Sequence, residues 1–147
     1  MSAETAAEAL RQVRDGRDFQ VPAKVLARIP ANDACRVLPE FGRSLATYVL
    51  HTDFWQVVWL NRLRGLRAPS MLADWREATP DQWPAIRKQF LTNLDAAVAL
   101  AEAKPFQHKM KDDATAVKIL LELALHDAYH VGQFVLLKRA LRRTEPD

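Results

Sequence analysis

The chain has 147 residues, 49% apolar and 27% charged, which suits one compact domain over residues 1–147 and excludes a mainly disordered chain. A net charge of +3, from 21 Lys and Arg against 18 Asp and Glu, lacks the clustered basic excess of a nucleic-acid surface. Four glycines against eight prolines leave little material for a turn-dense β architecture.

Prolines punctuate stretches of helical periodicity. Ala3 to Arg14 reads as a short helix with Ala7, Leu10 and Val13 on one side. Pro22 opens a second piece reaching Ile29, where Pro30 stops it, with Val25, Leu26 and Ile29 inward. Ser44 is an N-cap for a long helix ending at Gly65. Thr79-Pro80-Asp81-Gln82 forms a capping box with Pro at the first helical position, and that helix runs to Ala103, before Pro105. Asp113 caps a last helix reaching Leu141. No stretch alternates with period two. The expectation is an all-α bundle of four main helices, the first one broken. The connection Leu66 to Ala78 could stretch about 40 Å, enough to cross the bundle, so the second and third main helices are expected to run parallel.

No apolar run approaches the roughly 20 residues of a membrane helix; Ala116 to Leu125 is interrupted by Lys118 and Glu122. The opening residues suit an amphipathic helix and not a signal peptide, and Cys35 is the lone cysteine, unable to form an internal bridge. Together these point to the cytoplasm.

The chemistry concentrates in the histidines. His126 and His130 are four apart, about 40° from each other on one helix face. Around His130 that face carries Ala116, Ile119, Leu123, Phe134 and Leu137, so both imidazoles point inward. His51 lies on a similar stripe with Ser44, Thr47, Trp55, Val58 and Arg62. Asp53, about 160° away, is expected to face solvent. Three inward imidazoles on two helices can hold one divalent metal and leave a position for water or substrate; as plain core histidines, each would need its own hydrogen-bond partner. His108, in the loop after Pro105 and beside Lys109 and Lys111, reads as solvated.

His126-Asp127-Ala128-Tyr129-His130-Val131-Gly132-Gln133, followed by Leu136, Leu137 and Arg139, resembles the last-helix signature of DinB-like proteins. Ser44-Leu45 with His51 resembles the second-helix signature, and Asp74-Trp75 with Pro80 and Trp83 resembles the middle segment of one subgroup. The resemblance implies a four-helix bundle with a crossover between its second and third helices. It also implies a three-histidine site carried by His51, His126 and His130 for zinc, nickel or a similar divalent ion. Relatives include transferases and isomerases that use a low-molecular-weight thiol, bacillithiol or mycothiol, and homodimers are common among them. The family name implies no DNA chemistry.

Around the histidines, Gln133 lies on the flank of the stripe, within reach of a metal-bound water or of another helix. Asp127, at about 60°, is a better hydrogen-bonding candidate for an imidazole than Glu122, at about 80°, which reads as a surface carboxylate or a general base. Gly132 is expected to admit close approach of another helix, and Tyr129 to point toward another helix or a partner subunit. Trp55 either walls a pocket or packs in the core. Arg62, three turns from His51, faces water or a substrate's anionic tail. Lys138, Arg139, Arg142 and Arg143 complement the dipole of the last helix.

Two classes of function follow. One is a metal-dependent enzyme acting on a small molecule, by thiol-dependent transfer or by metal-assisted hydrolysis. The other is a non-enzymatic dimeric bundle that binds a ligand or partner.

Overall fold

The computed structural model describes residues 1–144; Pro146 lies outside the described residues. Helix α1, Ala3–Asp15, starts at Ser2, whose hydroxyl accepts from the Thr5 N–H, and ends at Gly16 with φ 68°. A Cβ there would lie 2.7 Å from the Phe19 carbonyl oxygen, so both the backbone and the space require glycine. Helix α2 is Pro22–Leu26. It stops short of the expected end at Ile29 because Ala27 turns extended, with ψ 145°, and Arg28 follows with a left-handed φ of 58°. Val25, Leu26 and Ile29 are nevertheless buried. A further turn, α3, Ala31–Ala34, follows Pro30.

Helix α4, Leu45–Arg64, is capped by Ser44, whose hydroxyl accepts from the Thr47 N–H, and closed by Gly65 at φ 70°. Helix α5, Trp83–Glu102, begins one turn later than Pro80 because the first turn tightens into a 3-10 helix, Pro80–Gln82. The Gln82 side chain accepts from the Thr79 N–H at 3.1 Å, as a capping box requires. Helix α6, Asp113–Arg143, is capped by Asp112 rather than Asp113. Asp112 Oδ1 accepts from the Thr115 N–H at 2.8 Å, and Asp113 is the first helical residue.

The core is two apolar clusters. One gathers α1 with Leu60 and Leu63 of α4, Leu94 to Ala101 of α5, and Ala116 to Ala124 of α6. The other gathers α2 and α3 with Leu45 and Val49 of α4, Trp83, Ile86 and Phe90 of α5, and Val131 to Leu141 of α6. Starts therefore meet starts for α4 and α5, which run parallel, while α6 runs against both. Arg11 bonds Glu102 at 2.7 Å and Arg14 approaches Asp95 at 3.8 Å, so α1 is antiparallel to α5. The connection expected from Leu66 to Ala78 is the crossover, running back along the bundle and extending to Gln82. Among the described residues the only β pairing is an isolated bridge, Val37 to Ser44, and no helix is long and apolar enough to cross a membrane.

Between the two clusters lies a polar layer: His51, Thr52, Asp53, Gln56, Asp127 and His130, all buried. Lys138 leaves its expected dipole role to cap α2, its ammonium donating to the Val25 carbonyl at 2.7 Å. Among the described residues no helix approaches Gly132: a Cβ there would meet nothing within 4 Å. Tyr129 beside it is 67% exposed.

Candidate metal centre

The middle of α4 supplies His51, and two successive turns of α6 supply His126 and His130. Their ring nitrogens gather so that one atom from each lies within 4.8 Å of the others. Nε2 of His126 and Nε2 of His130 are 3.1 Å apart, close to the roughly 3.3 Å edge of a tetrahedron built on zinc–nitrogen bonds of 2.0–2.1 Å.

The other nitrogens are tethered. His51 Nδ1 donates to Asp74 Oδ1 at 2.5 Å, and His130 Nδ1 donates to Gln133 Oε1 at 2.6 Å. Each tether leaves the Nε2 lone pair aimed inward, the arrangement in which imidazole is a ligand. His126 Nδ1 is buried without a partner, as is Asp127 Oδ1, and the two lie 4.0 Å apart. With its Nε2 lone pair on an ion, His126 would carry its proton on Nδ1, facing that carboxylate. The donor set therefore fits a divalent metal ion that accepts imidazole nitrogen.

Electrostatics favour neutral rings at His51 and His130. Burial pushes His130 down to about 4, against a partial offset from Gln133. Burial also lowers His51, with Asp74 acting the other way. Neutral imidazole is the form that binds metal.

Several neighbours differ from expectation. Asp53 is 4% exposed, not solvated. α4 is covered on two sides, by α5 and α6, so the face away from His51 meets α5. Asn93 Nδ2 donates to Asp53 Oδ1 at 2.6 Å, and burial raises the Asp53 carboxyl to about 6. Asp127 is fully buried, and Gln56 Nε2 donates to its Oδ2 at 2.6 Å. Glu122 and Arg62 are exposed. Gln133 serves its own helix partner rather than another helix. Trp55 lies beside the site, its Nε1 donating to Asp74 Oδ2 at 3.0 Å. His108 is not solvated: its side chain is 8% exposed, with Nε2 donating to Asp113 at 2.8 Å and Nδ1 accepting from the Met110 N–H. It lies 5 residues from its partner, outside the cluster. Cys35 is half-buried, and burial pushes its thiol up, away from nucleophilic use.

Sequence reasoning had no role for Asp74, Trp75 or Gln56. Trp75 stacks on His51 with ring centroids 3.6 Å apart and planes 11° apart. Only the path of the crossover brings it there. Gln56 is five residues after His51, and that spacing carries no signal of the buried partner on α6.

No curated protein and no solved structure matches this chain. A family model described as the DinB superfamily matches residues 17–134, a span holding all three histidines, Asp74 and Gln133. With a helical bundle, a parallel α4–α5 crossover and three converging imidazoles already in place, the match is decisive: the chain belongs to the DinB superfamily.

Proposed function

We propose that this protein is a metal-dependent enzyme that holds zinc or nickel on His51, His126 and His130 and acts on a small molecule in the cytoplasm. The observation that carries the reading is the convergence of three imidazoles with two of their outer nitrogens tethered to Asp74 and Gln133. A divalent ion there supplies Lewis acidity toward a thiol or a water at neutral pH. Thiol transfer to a small electrophile is the leading reaction and hydrolysis the second. The chain's own contribution is orientation and exclusion of water. Trp59 and Trp55 stand 5.1 and 6.3 Å from the His126 ring, and Trp75 covers His51. Protein prepared without an affinity tag is expected to carry about one zinc or nickel per chain by elemental analysis, and His126→Ala to carry none. Equal metal content in both would remove the proposal.

The second reading, a binding bundle that works as a homodimer, is favoured by one surface. Leu125, Tyr129 and Leu136 are 72%, 67% and 55% exposed on one outward stripe of α6, with Gly132 open between them. Two α6 helices packed antiparallel about a centre between His130 and Val131 would set Leu125 opposite the partner subunit's Leu136, and Tyr129 over the partner subunit's Gly132. Such exposed apolar stripes mark interfaces. Sedimentation is expected to give a dimer that Leu136→Glu converts to monomer; a monomeric parent protein at high micromolar concentration would exclude it.

A further inference from the structure

The segment 66–82 has almost nothing of its own to hold it in place. Leu66, Met71 and Leu72 are 58%, 56% and 92% exposed, and neither 3-10 turn, Met71–Ala73 or Pro80–Gln82, buries a residue. Asn61 ties the start of the segment, donating to the Arg67 carbonyl at 2.9 Å. The strongest anchorage is at Asp74 and Trp75. The Asp74 carboxylate takes three donors at once: His51 Nδ1, the Trp75 N–H at 2.8 Å and Trp55 Nε1 at 3.0 Å. Trp75 has a left-handed φ of 55°, a conformation a bulky residue keeps only when its surroundings enforce it. Those surroundings are His51 stacked on the indole, the Arg43 guanidinium over it at 4.7 Å, and Tyr48 edge-on at 5.4 Å.

One side chain of the three-histidine cluster is therefore also the seat of the crossover. We infer that Asp74 is a positioning residue that acts through His51, so that metal binding at the three histidines and seating of the 66–78 segment strengthen each other. The inference rests on the metal-binding reading above. The physical link is short. A carboxylate on Nδ1 fixes the tautomer and orientation of the ring and makes Nε2 more basic. An ion on Nε2 in turn immobilises the ring on which Asp74 and Trp75 rest. Coupling of this kind is reciprocal: whatever the ion gains from a seated crossover, the crossover gains from the ion.

The crossover carries two trypsin sites, Arg67 and Arg76, which give a readout independent of any activity. Zinc titrations and tryptic digestion are done on the parent protein, Asp74→Asn, His51→Ala and the double variant. Asparagine keeps the size of the residue and the Oδ1 acceptor that His51 Nδ1 and the Trp75 N–H share, and it removes the charge and the Oδ2 acceptor of Trp55, so the fold is retained, as circular dichroism would check. Zinc is expected to slow cleavage at Arg67 and Arg76 several-fold in the parent protein. Asp74→Asn is expected to weaken zinc binding roughly 10–100-fold, the usual effect of losing a ligand's hydrogen-bonded carboxylate, and to lose the protection. In the His51→Ala background, Asp74→Asn is expected to change zinc affinity no further. A role in packing alone would move the melting temperature of the metal-free protein and leave zinc affinity as it was, which overturns the inference while the metal reading stands. An equal loss of affinity with and without His51 also overturns it. A parent protein that takes up no zinc overturns both.

Discussion

Zinc at about a thousandfold excess over its dissociation constant is expected to raise the melting temperature by roughly 8–16 °C. Binding to the native state alone contributes about 4 kcal/mol at that excess, and each kcal/mol moves a chain of this size by roughly 2–4 °C. His130→Ala should abolish most of that shift. It removes one of three ligands, adds no charge, and places a good helix former within α6, so helicity remains. The pH dependence has a definite sign. Burial holds His51 below its ordinary value and brings His130 down to about 4, whereas an unfolded histidine titrates near 6.5. Between those values the unfolded chain binds more protons than the native one. Stability of the metal-free protein is thus fully present above about pH 6.5 and declines as the pH falls toward 4. For His130 the drop from 6.5 to about 4 amounts to roughly 3 kcal/mol. Free imidazoles would lose a metal to protons below about pH 6.5, but the buried His51 and His130 rings resist protonation, so zinc should remain bound at lower pH. Melting curves with and without zinc at pH 7.5 and 5.0 measure both effects. A His130→Ala variant with an undiminished zinc shift would reduce the pair on α6 to packing.

Gln56→Leu is expected to destabilise the metal-free protein by about 2–4 kcal/mol, although Gln56 is fully buried and its side-chain hydrogen bond goes to Asp127, not to an imidazole. Asp127 is 0% exposed and receives its one side-chain hydrogen bond at normal distance from Gln56 Nε2. Burial already raises its carboxyl above the usual range. Removing the donor leaves a sealed carboxyl with its desolvation uncompensated. Replacing both members, Gln56→Leu with Asp127→Ala, should recover most of the loss, because apolar groups of about the same combined volume leave no polar atom stranded. Urea unfolding of the two single variants and the double variant gives the coupling directly. If the double variant is no more stable than Gln56→Leu, the pair is not what holds the layer together.

Helix ends were legible because capping is local chemistry. Ser44, Gly65 and the Thr79–Gln82 box act on neighbouring backbone groups, and each lies where the sequence places it. The convergence of His51, His126 and His130 was legible from periodicity, since an apolar stripe has to face the core. Asp53 shows where that argument stops. A helical wheel assumes one buried face, and α4 has two, one for α6 and one for α5. The burial of His108 is hidden for a related reason: its partner, Asp113, belongs to the next helix, and a basic loop gives no hint of the bond. Asp74 and Trp75 are a different case. Their positions depend on how an irregular segment crosses the bundle, which no periodicity encodes.

The two apolar clusters share no buried residue, and a hydrogen-bonded stratum separates them. Damage to this molecule should therefore be compartmentalised. A truncation at Phe134 and another at Leu120 disturb different neighbours, so their costs should sum, whereas two truncations inside one cluster compete for the same relaxation. The chain can thus accept substitutions at one end without narrowing what the other end tolerates, and the stratum between them is where changes on α4 and α6 have to be matched.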